Sequence, residues 1–335
     1  MKKQRYLLWI VCSLVTLASC SKDDEMPADD AIRFDNRIGE PYVDGVTRGT
    51  VTDNSNFNEF GVFAYYAASG LYNTSSNPNY MYNVKVTRKN GVPWTYTPVK
   101  FWPQGSVSFF AYSPYSGADN MVSVGCTVGA PVVTYAVPNN VADHRDLLLS
   151  ALAPNKTQTN NPVLLNFRHA LACINFKARI TGTLNIGESI KVTNISLGNF
   201  KHKASCHHEL ADAITQTFTT DATDNAYSLS VTNNALLNNL LLTQTDQQIT
   251  SANGCPMLWP QSIDNTDKLT VTAEYISNGM ARTIVFECNM QSVVATMAAG
   301  KRYTFTLLFN TFGSMNLTCT VVDWDAKIIN VPDFD

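Results

Sequence analysis

Short stretches of alternating apolar and polar residues recur along most of the chain. Residues 31–38 place Ile32, Phe34 and Ile38 on one face, which predicts a half-buried strand. In residues 171–180 every even position from Ala172 to Ile180 is apolar, so these positions form the predicted buried face of a second strand. Further strands are predicted at 60–66, 107–112, 132–137, 189–197, 269–276, 283–288, 303–309 and 317–322.

Turn residues separate these stretches. Asn278-Gly279 lies between two predicted strands and predicts a tight hairpin. The evidence for helix is confined to residues 235–242, a leucine-rich run that fits either a short helix or a crossing strand. Many short strands with regular turns favour β-sandwiches over a parallel α/β sheet, so the predicted class is all-β.

The composition fits a globular protein of this kind. The chain has 335 residues, which suggests two domains, and its 45% hydrophobic content is enough to form buried cores. Charged residues make up only 15%, against about 25% in an average soluble protein. The formal net charge of −3 provides no basic surface for nucleic acid, and no nucleic-acid partner is predicted.

The N-terminus has the pattern of an export signal. Five residues with a basic character are followed by an apolar run at 6–17, which is too short to span a bilayer. The run ends in Leu17-Ala18-Ser19-Cys20, which resembles a bacterial lipobox and predicts that Cys20 carries lipid. The alternative is an ordinary secretory signal that contains a cysteine. The polar, acidic segment 21–25 predicts a tether, and its lysine followed by acidic residues also resembles a signal that directs some lipoproteins to the outer face of the outer membrane.

The remaining cysteines do not predict a disulfide framework. They lie far apart without metal or redox spacing, and six cysteines allow 15 pairings, among which the sequence does not choose. Cys173 and Cys319 lie in strand-like runs, where small buried apolar roles are expected. The full set is Cys126, Cys173, Cys206, Cys255, Cys288 and Cys319.

No catalytic motif is present, so the chain is predicted not to be an enzyme and to need no cofactor or metal. The His- and Cys-rich stretch 202–209 matches no standard zinc spacing and is expected to be a polar hairpin tip or loop. His169 is expected to be a structural histidine, since no paired carboxylate is evident. Within 143–146, neighbouring Asp and His side chains are expected not to face one another. Aromatic residues between Tyr65 and Trp102 could stack on sugars, but core packing is the favoured role.

A set of short segments occurs in a fixed order along the chain. They are Phe60-Gly61-Val62-Phe63-Ala64-Tyr65, Phe101-Trp102-Pro103, 107–114, Asp146-Leu147-Leu148-Leu149-Ser150, Asn166-Phe167-Arg168-His169-Ala170-Leu171-Ala172, 299–307 and Val322-Asp323-Trp324. Taken together and in this order, they resemble the fimbrillin-like family of type V pilus subunits. The resemblance implies two tandem transthyretin-like β-sandwich domains. It also implies assembly in which an Arg-specific protease removes the first strand and another subunit supplies a strand in its place.

Carried over to this sequence, the resemblance implies cleavage after Arg48, before Gly49, in a loop of small residues. The removable strand is 32–38, with Ile32, Phe34 and Ile38 as its apolar side chains. The predicted organisation is a signal peptide at 1–19, a tether and removable strand at 20–48, an N-terminal sandwich at 49–182 and a C-terminal sandwich at 183–335.

The expected partners follow from the same resemblance. They are other pilus subunits, bound by β-strand addition, the outer membrane, through lipidated Cys20, and a host glycan or protein receptor. Residues 325–335 are shorter than the C-terminal extension of stalk subunits, which favours a tip, accessory or anchor position on the cell surface. The alternative function is a surface-exposed glycan-binding lipoprotein.

Overall fold

The computed structural model describes residues 30–38, 52, 56–89, 93–116, 121–207, 217–220, 227–230, 240–249, 255–311 and 313–324. Strands dominate these residues, and the helical elements among them are three-residue 3₁₀ helices at Val141–Asp143, Gln158–Asn160 and Met290–Ser292. The predicted all-β class is confirmed. No helix within the described ranges is long and apolar enough to cross a bilayer.

The strands fall close to the predicted ones. The first eleven are β1 (Phe34–Ile38), β2 (Glu59–Ala67), β3 (Met81–Thr87), β4 (Thr95–Tyr96), β5 (Ser106–Ser113), β6 (Val122–Gly125), β7 (Val132–Ala136), β8 (Leu148–Ser150), β9 (Ala153–Lys156), β10 (Val163–His169) and β11 (Ala172–Ile180). The next six are β12 (Ser189–Phe200), β13 (Lys203–His207), β14 (Thr217–Thr220), β15 (Tyr227–Ser230), β16 (Gln247–Gln248) and β17 (Met257–Leu258). The last six are β18 (Gln261–Ser262), β19 (Lys268–Ser277), β20 (Met280–Asn289), β21 (Thr296–Met297), β22 (Lys301–Phe309) and β23 (Met315–Asp323).

Eight strands form one sheet in the order β1-β10-β8-β5-β2-β3-β4, with β9 paired to β5. The pairs within it are antiparallel except for β1, which runs parallel to β10 and ends the sheet. Strand β1 is therefore an edge strand, hydrogen-bonded along its length to β10.

Three further sheets follow, and two of them combine strands from both sides of residue 182. Their orders are β16-β11-β22-β23, β15-β12-β19-β20 and β14-β13-β7-β6. Strand β11 runs parallel to β22, and β7 pairs with β13. Both pairings join strands on opposite sides of residue 182, where the sequence places the domain boundary. That boundary stays a prediction.

Apolar residues gather in two clusters on opposite faces of the eight-stranded sheet. One cluster lies on the face of the sheet that carries Phe34 of β1, Phe60 of β2, Phe109 of β5 and Phe167 of β10. The other begins with Phe63, Phe110 and Leu149 on the opposite face and continues through β11, β12, β19 and β22. Alternation decides which cluster a residue joins, because successive side chains of a strand point to opposite faces.

Two local predictions can be compared with the structure directly. The Asn278-Gly279 hairpin is confirmed: Ser277 pairs with Met280, and both turn residues have positive φ, 52° and 77°. The leucine-rich run at 235–242 lies mostly outside the described residues, although Leu241 bridges to Lys191.

One disulfide joins Cys173 of β11 to Cys255, with Cα atoms 6.0 Å apart. The expectation that Cys173 acts only as a small apolar residue was wrong. It is buried, but its sulfur is bonded to a residue just before β17, which pairs with β11. Cys319 is half-buried and free.

Candidate functional site

The first described segment lies in a groove at the edge of the eight-stranded sheet. Residues Phe34 to Ile38 pair in register with Val163 to Phe167 of β10. The residues just before β1 are held on both sides. The Arg33 carbonyl accepts from the Val163 N–H (2.8 Å), and the Ile32 N–H donates to the carbonyl of Lys100 (2.8 Å). The groove thus lies between β10 and residues 100–102.

The inward side chains of this segment fill the groove. Ile32, Phe34 and Ile38 are 1%, 5% and 4% exposed, which confirms that they share a buried face. The Phe34 ring lies 5.9 Å from Phe60 and 5.6 Å from Phe109, in edge-on contacts. Such aromatic pairs stabilise the fold beyond the contribution of the apolar area that they bury. The segment is therefore an integral part of this core and not a surface attachment.

Polar groups close the groove around the backbone. The Tyr96 hydroxyl donates to the carbonyl of Ile32 (2.9 Å), and the Asn161 amide donates to the carbonyl of Ala31 (2.9 Å). The Trp94 indole N–H donates to Oδ1 of Asn36, at 3.2 Å. Asn36 is half-buried and takes the inward position between Phe34 and Ile38. Backbone groups at an edge need such partners wherever water is excluded.

The other predicted site residues lie outside the described residues. Cys20, Arg48 and Gly49 belong to the ranges 1–29 and 39–51, of which nothing is described. The cleavage after Arg48 and the lipidation of Cys20 stay predictions. Arg33 and Arg37, the two arginines of the segment itself, have exposed side chains.

A second arrangement lies at the far end of β10. The Nδ1 atom of His169 lies 3.0 Å from Oδ1 and 2.9 Å from Oδ2 of Asp146, and both residues are 3% exposed. Because a carboxylate only accepts, Nδ1 carries the proton of this bond. The imidazole stacks on the indole of Trp324, with ring centroids 4.3 Å apart and planes 9° apart. The sequence missed this carboxylate partner of His169, since the two residues are separated in the chain by β8, β9 and most of β10.

The backbone around Trp324 is fixed by Gly300. The Trp324 N–H donates to the carbonyl of Gly300 (2.7 Å), and the Gly300 N–H donates to the carbonyl of Leu171 (3.0 Å). Gly300 has φ +65°, and a Cβ atom there would lie 3.6 Å from the carbonyl oxygen of His169. A left-handed backbone is favourable for glycine and costly for other residues. Segments 146–150, 166–172, 299–307 and 322–324, which carry the resemblance, therefore meet at one point.

Asp146 also binds the chain that follows the predicted cleavage site. Its Oδ2 atom accepts from the backbone N–H of Thr52, at 2.8 Å. Thr52 is the first described residue after Ile38. We call Thr52, Asp146, His169 and Trp324 the clasp.

His144 is a second buried histidine, and its ring bonds backbone groups. Its Nδ1 accepts from the N–H of Met257 (3.0 Å), and its Nε2 lies 2.9 Å from the carbonyl of Pro138. The ring is fully buried, and this desolvation lowers its pKa to about 4. The histidine is thus neutral at pH 7, with Nε2 protonated.

The remaining candidate chemistry is limited. Among the described residues, no group of three His, Cys, Asp or Glu side chains is arranged to hold a metal. The expectation of a loop for the His- and Cys-rich stretch was wrong, because residues 203–207 form β13, which pairs with β7 and β14. Residues 208 and 209 lie outside the described residues. Of the aromatic residues considered for sugar stacking, Tyr65 is buried, Trp94 and Tyr96 pack in the groove, and Tyr82 is 56% exposed.

Comparison with known proteins decides the family. A family model described as fimbrillin-like matches residues 47–324. The chain belongs to the fimbrillin-like family. This fimbrillin-like chain has no match among curated proteins.

Solved structures show the same fold at low sequence identity. A fimbrial protein from Bacteroides vulgatus is 20% identical, with a TM-score of 0.60 over 88% of this chain and 99% of that one. A candidate cell adhesion protein from Bacteroides ovatus is 16% identical, with a TM-score of 0.54 over 89% and 98%. One from Bacteroides uniformis is also 16% identical, with a TM-score of 0.53 over 89% and 99%.

Proposed function

We propose that this fimbrillin-like protein is a structural or adhesive subunit of a type V pilus. It is exported as a lipoprotein anchored through Cys20. Cleavage after Arg48 then separates the segment that carries β1 from the rest of the chain, and a strand of another subunit displaces this segment from the groove. The observation that carries the proposal is the position of β1, an edge strand whose apolar side chains fill an aromatic groove.

An edge position makes exchange topologically simple. Strand β1 can leave without opening a second ladder along Phe34 to Ile38, and β10 then presents an unpaired backbone edge. An incoming extended strand satisfies these groups and places alternate side chains in the pockets of Ile32, Phe34 and Ile38. A glycan-binding role has no comparable observation in its favour.

The burial of the segment also sets how exchange proceeds. Each fully buried Ile or Phe side chain contributes about 1.5–3 kcal/mol, so the three together hold the segment firmly after the loop is cut. We therefore expect the cut segment to stay bound until a competing strand displaces it. A precursor with a filled groove would not polymerise before processing.

The test is limited proteolysis of the mature chain with an Arg-specific protease. N-terminal sequencing is expected to give a new terminus at Gly49. Arg48→Ala should abolish the cut, whereas Arg33→Ala and Arg37→Ala, in the segment with its paired backbone, should not. The processed protein should form SDS-resistant complexes with a donor subunit, and the Arg48→Ala protein should not. Complexes formed equally well without cleavage would contradict the proposal.

The processed protein also tests which position this subunit takes in the pilus. A tip, accessory or anchor subunit is expected to complex with partners without forming long fibres by itself. Electron microscopy of the processed protein alone checks this. Long homopolymeric fibres would assign it to the stalk.

A further inference from the structure

Strand β10 forms one wall of the groove. The backbone hydrogen bonds that connect it to its two neighbours are distributed unevenly along its length. Along Val163 to Phe167 it pairs with β1. On its other edge, the register with β8 covers Phe167 to His169, and the Ala151 N–H donates to the carbonyl of Asn166 (2.9 Å). When β1 leaves, the ladder that remains on β10 is therefore concentrated at its C-terminal end.

The clasp lies at that end. His169 is the last residue of β10, and its ring is fixed by Asp146 on one atom and by Trp324 on one face. Asp146 lies two residues before β8, the neighbour of β10. The carboxylate–imidazole bond thus ties the end of β10 to the chain entering β8, independently of the backbone ladder.

Thr52 brings the processed end of the chain to the same carboxylate. It lies four residues beyond Arg48, so after cleavage only three residues, 49–51, would precede it. Its N–H bond to Asp146 anchors a chain end that would otherwise fray. Asp146 is therefore hydrogen-bonded both to His169 of β10 and to Thr52, near the N-terminus that cleavage would create.

We propose that the clasp keeps β10 in place while β1 is displaced, so that the groove stays able to accept the incoming strand. This inference rests on the proposed function and assigns His169 and Asp146 a positioning role in it. In the precursor, β1 itself holds β10 along most of its length, so the clasp matters less there. In the processed protein the clasp and the short β8 ladder carry that role.

The test measures rebinding of a synthetic peptide with the sequence of residues 30–38 to processed protein from which the native segment has been removed. Two variants of His169 separate the effect of its ring from the effect of its hydrogen bond to Asp146. His169→Phe keeps a ring against Trp324 but removes the donor to Asp146. His169→Asn keeps a nitrogen at the position of Nδ1 but removes the ring. Peptide affinity is expected to fall at least about tenfold in His169→Phe, relative to the wild-type protein. In His169→Asn it is expected to stay close to the wild-type value.

Control variants separate positioning from general stability. His144→Asn changes the other buried histidine and is expected to lower the melting temperature without a comparable loss of peptide affinity. Thr52→Pro removes the N–H donor and should weaken peptide binding, whereas Thr52→Ala keeps the donor and should not. Melting of the uncleaved variants shows which of them fold.

The outcomes distinguish the two proposals. If processed wild-type protein binds the peptide and both His169→Phe and Thr52→Pro bind it equally well, the clasp has no positioning role. If processed wild-type protein does not bind the peptide at all, strand exchange at this groove fails, and the clasp inference fails with it.

Discussion

His169 and Trp324 stack face to face, with centroids 4.3 Å apart, although one ends β10 and the other follows β23. This contact joins the eight-stranded sheet to the sheet of β11, β22 and β23. Trp324 is 2% exposed, so the contact is part of the core rather than a surface latch.

Removing the indole should destabilise the whole chain. Trp324→Ala is expected to lower the free energy of unfolding by about 3–5 kcal/mol, since a large buried side chain is lost. Trp324→Phe keeps an aromatic plane over His169 and should cost clearly less. Chemical denaturation measures both, and equal losses would show that an aromatic ring over His169 does not by itself stabilise the protein.

Phe34 should control how long the cut segment stays bound. Phe34→Ala removes ring contacts to Phe60, Tyr96 and Phe109. The expected loss of about 3–5 kcal/mol corresponds to release at least about a hundredfold faster from the cleaved protein. Native mass spectrometry over time gives the rate. Asp35→Ala, at an exposed position of the same strand, is the matched control and should release at the wild-type rate.

Gly61 is required by the packing of Tyr112. A Cβ atom at Gly61 would lie 2.7 Å from Cζ and 2.8 Å from the hydroxyl oxygen of Tyr112, whose hydroxyl also bonds Asn83 at 2.6 Å. Gly61→Ala is expected to cost about 1–3 kcal/mol of stability through overpacking. Gly125→Ala, where an added Cβ meets nothing within 4 Å, should be close to neutral in the same denaturation assay.

His144 should make stability depend on pH. Its native pKa of about 4 lies below the unfolded value of 6.5, so below about pH 6.5 the unfolded state binds a proton that the native state does not. Stability should therefore fall as the pH drops from 6.5 towards 4, by about 3 kcal/mol in total, and this contribution should level off below that. In His144→Asn the amide oxygen can accept from Met257 without titrating. Unfolding curves at several pH values should show a smaller decline for this variant, and an unchanged decline would contradict the assignment.

The disulfide should contribute more to stability than the free cysteines do. It closes a loop of 82 residues, so its loss in a Cys173→Ser, Cys255→Ser double variant is expected to cost about 4 kcal/mol. Cys288→Ser removes a free, half-buried thiol and should cost about 1 kcal/mol or less. Thermal unfolding with and without reductant provides a second comparison, since only the disulfide responds to it.

Much of the fold follows from local sequence. Alternation predicts the strands and their buried faces, as in β1 and β11, because the side-chain period of a strand is fixed at two. The Asn278-Gly279 turn is predicted for a similar reason, since few residues adopt positive φ readily. The buried face of Ile32, Phe34 and Ile38 therefore follows from the spacing of these three residues.

Pairing between distant strands was not predictable in this way. Alternation assigns faces to a strand but does not name its neighbours, so the parallel ladders of β1 with β10 and β11 with β22 came only from the fold. The bond between Cys173 and Cys255 depends on the same long-range placement, as does the contact of His169 with Asp146. The sequence alone determined an all-β chain with a first strand that is apolar on one face. Tertiary structure decided that this strand closes a sheet edge and that Thr52, Asp146, His169 and Trp324 converge, because only packing brings together residues so far apart in the chain.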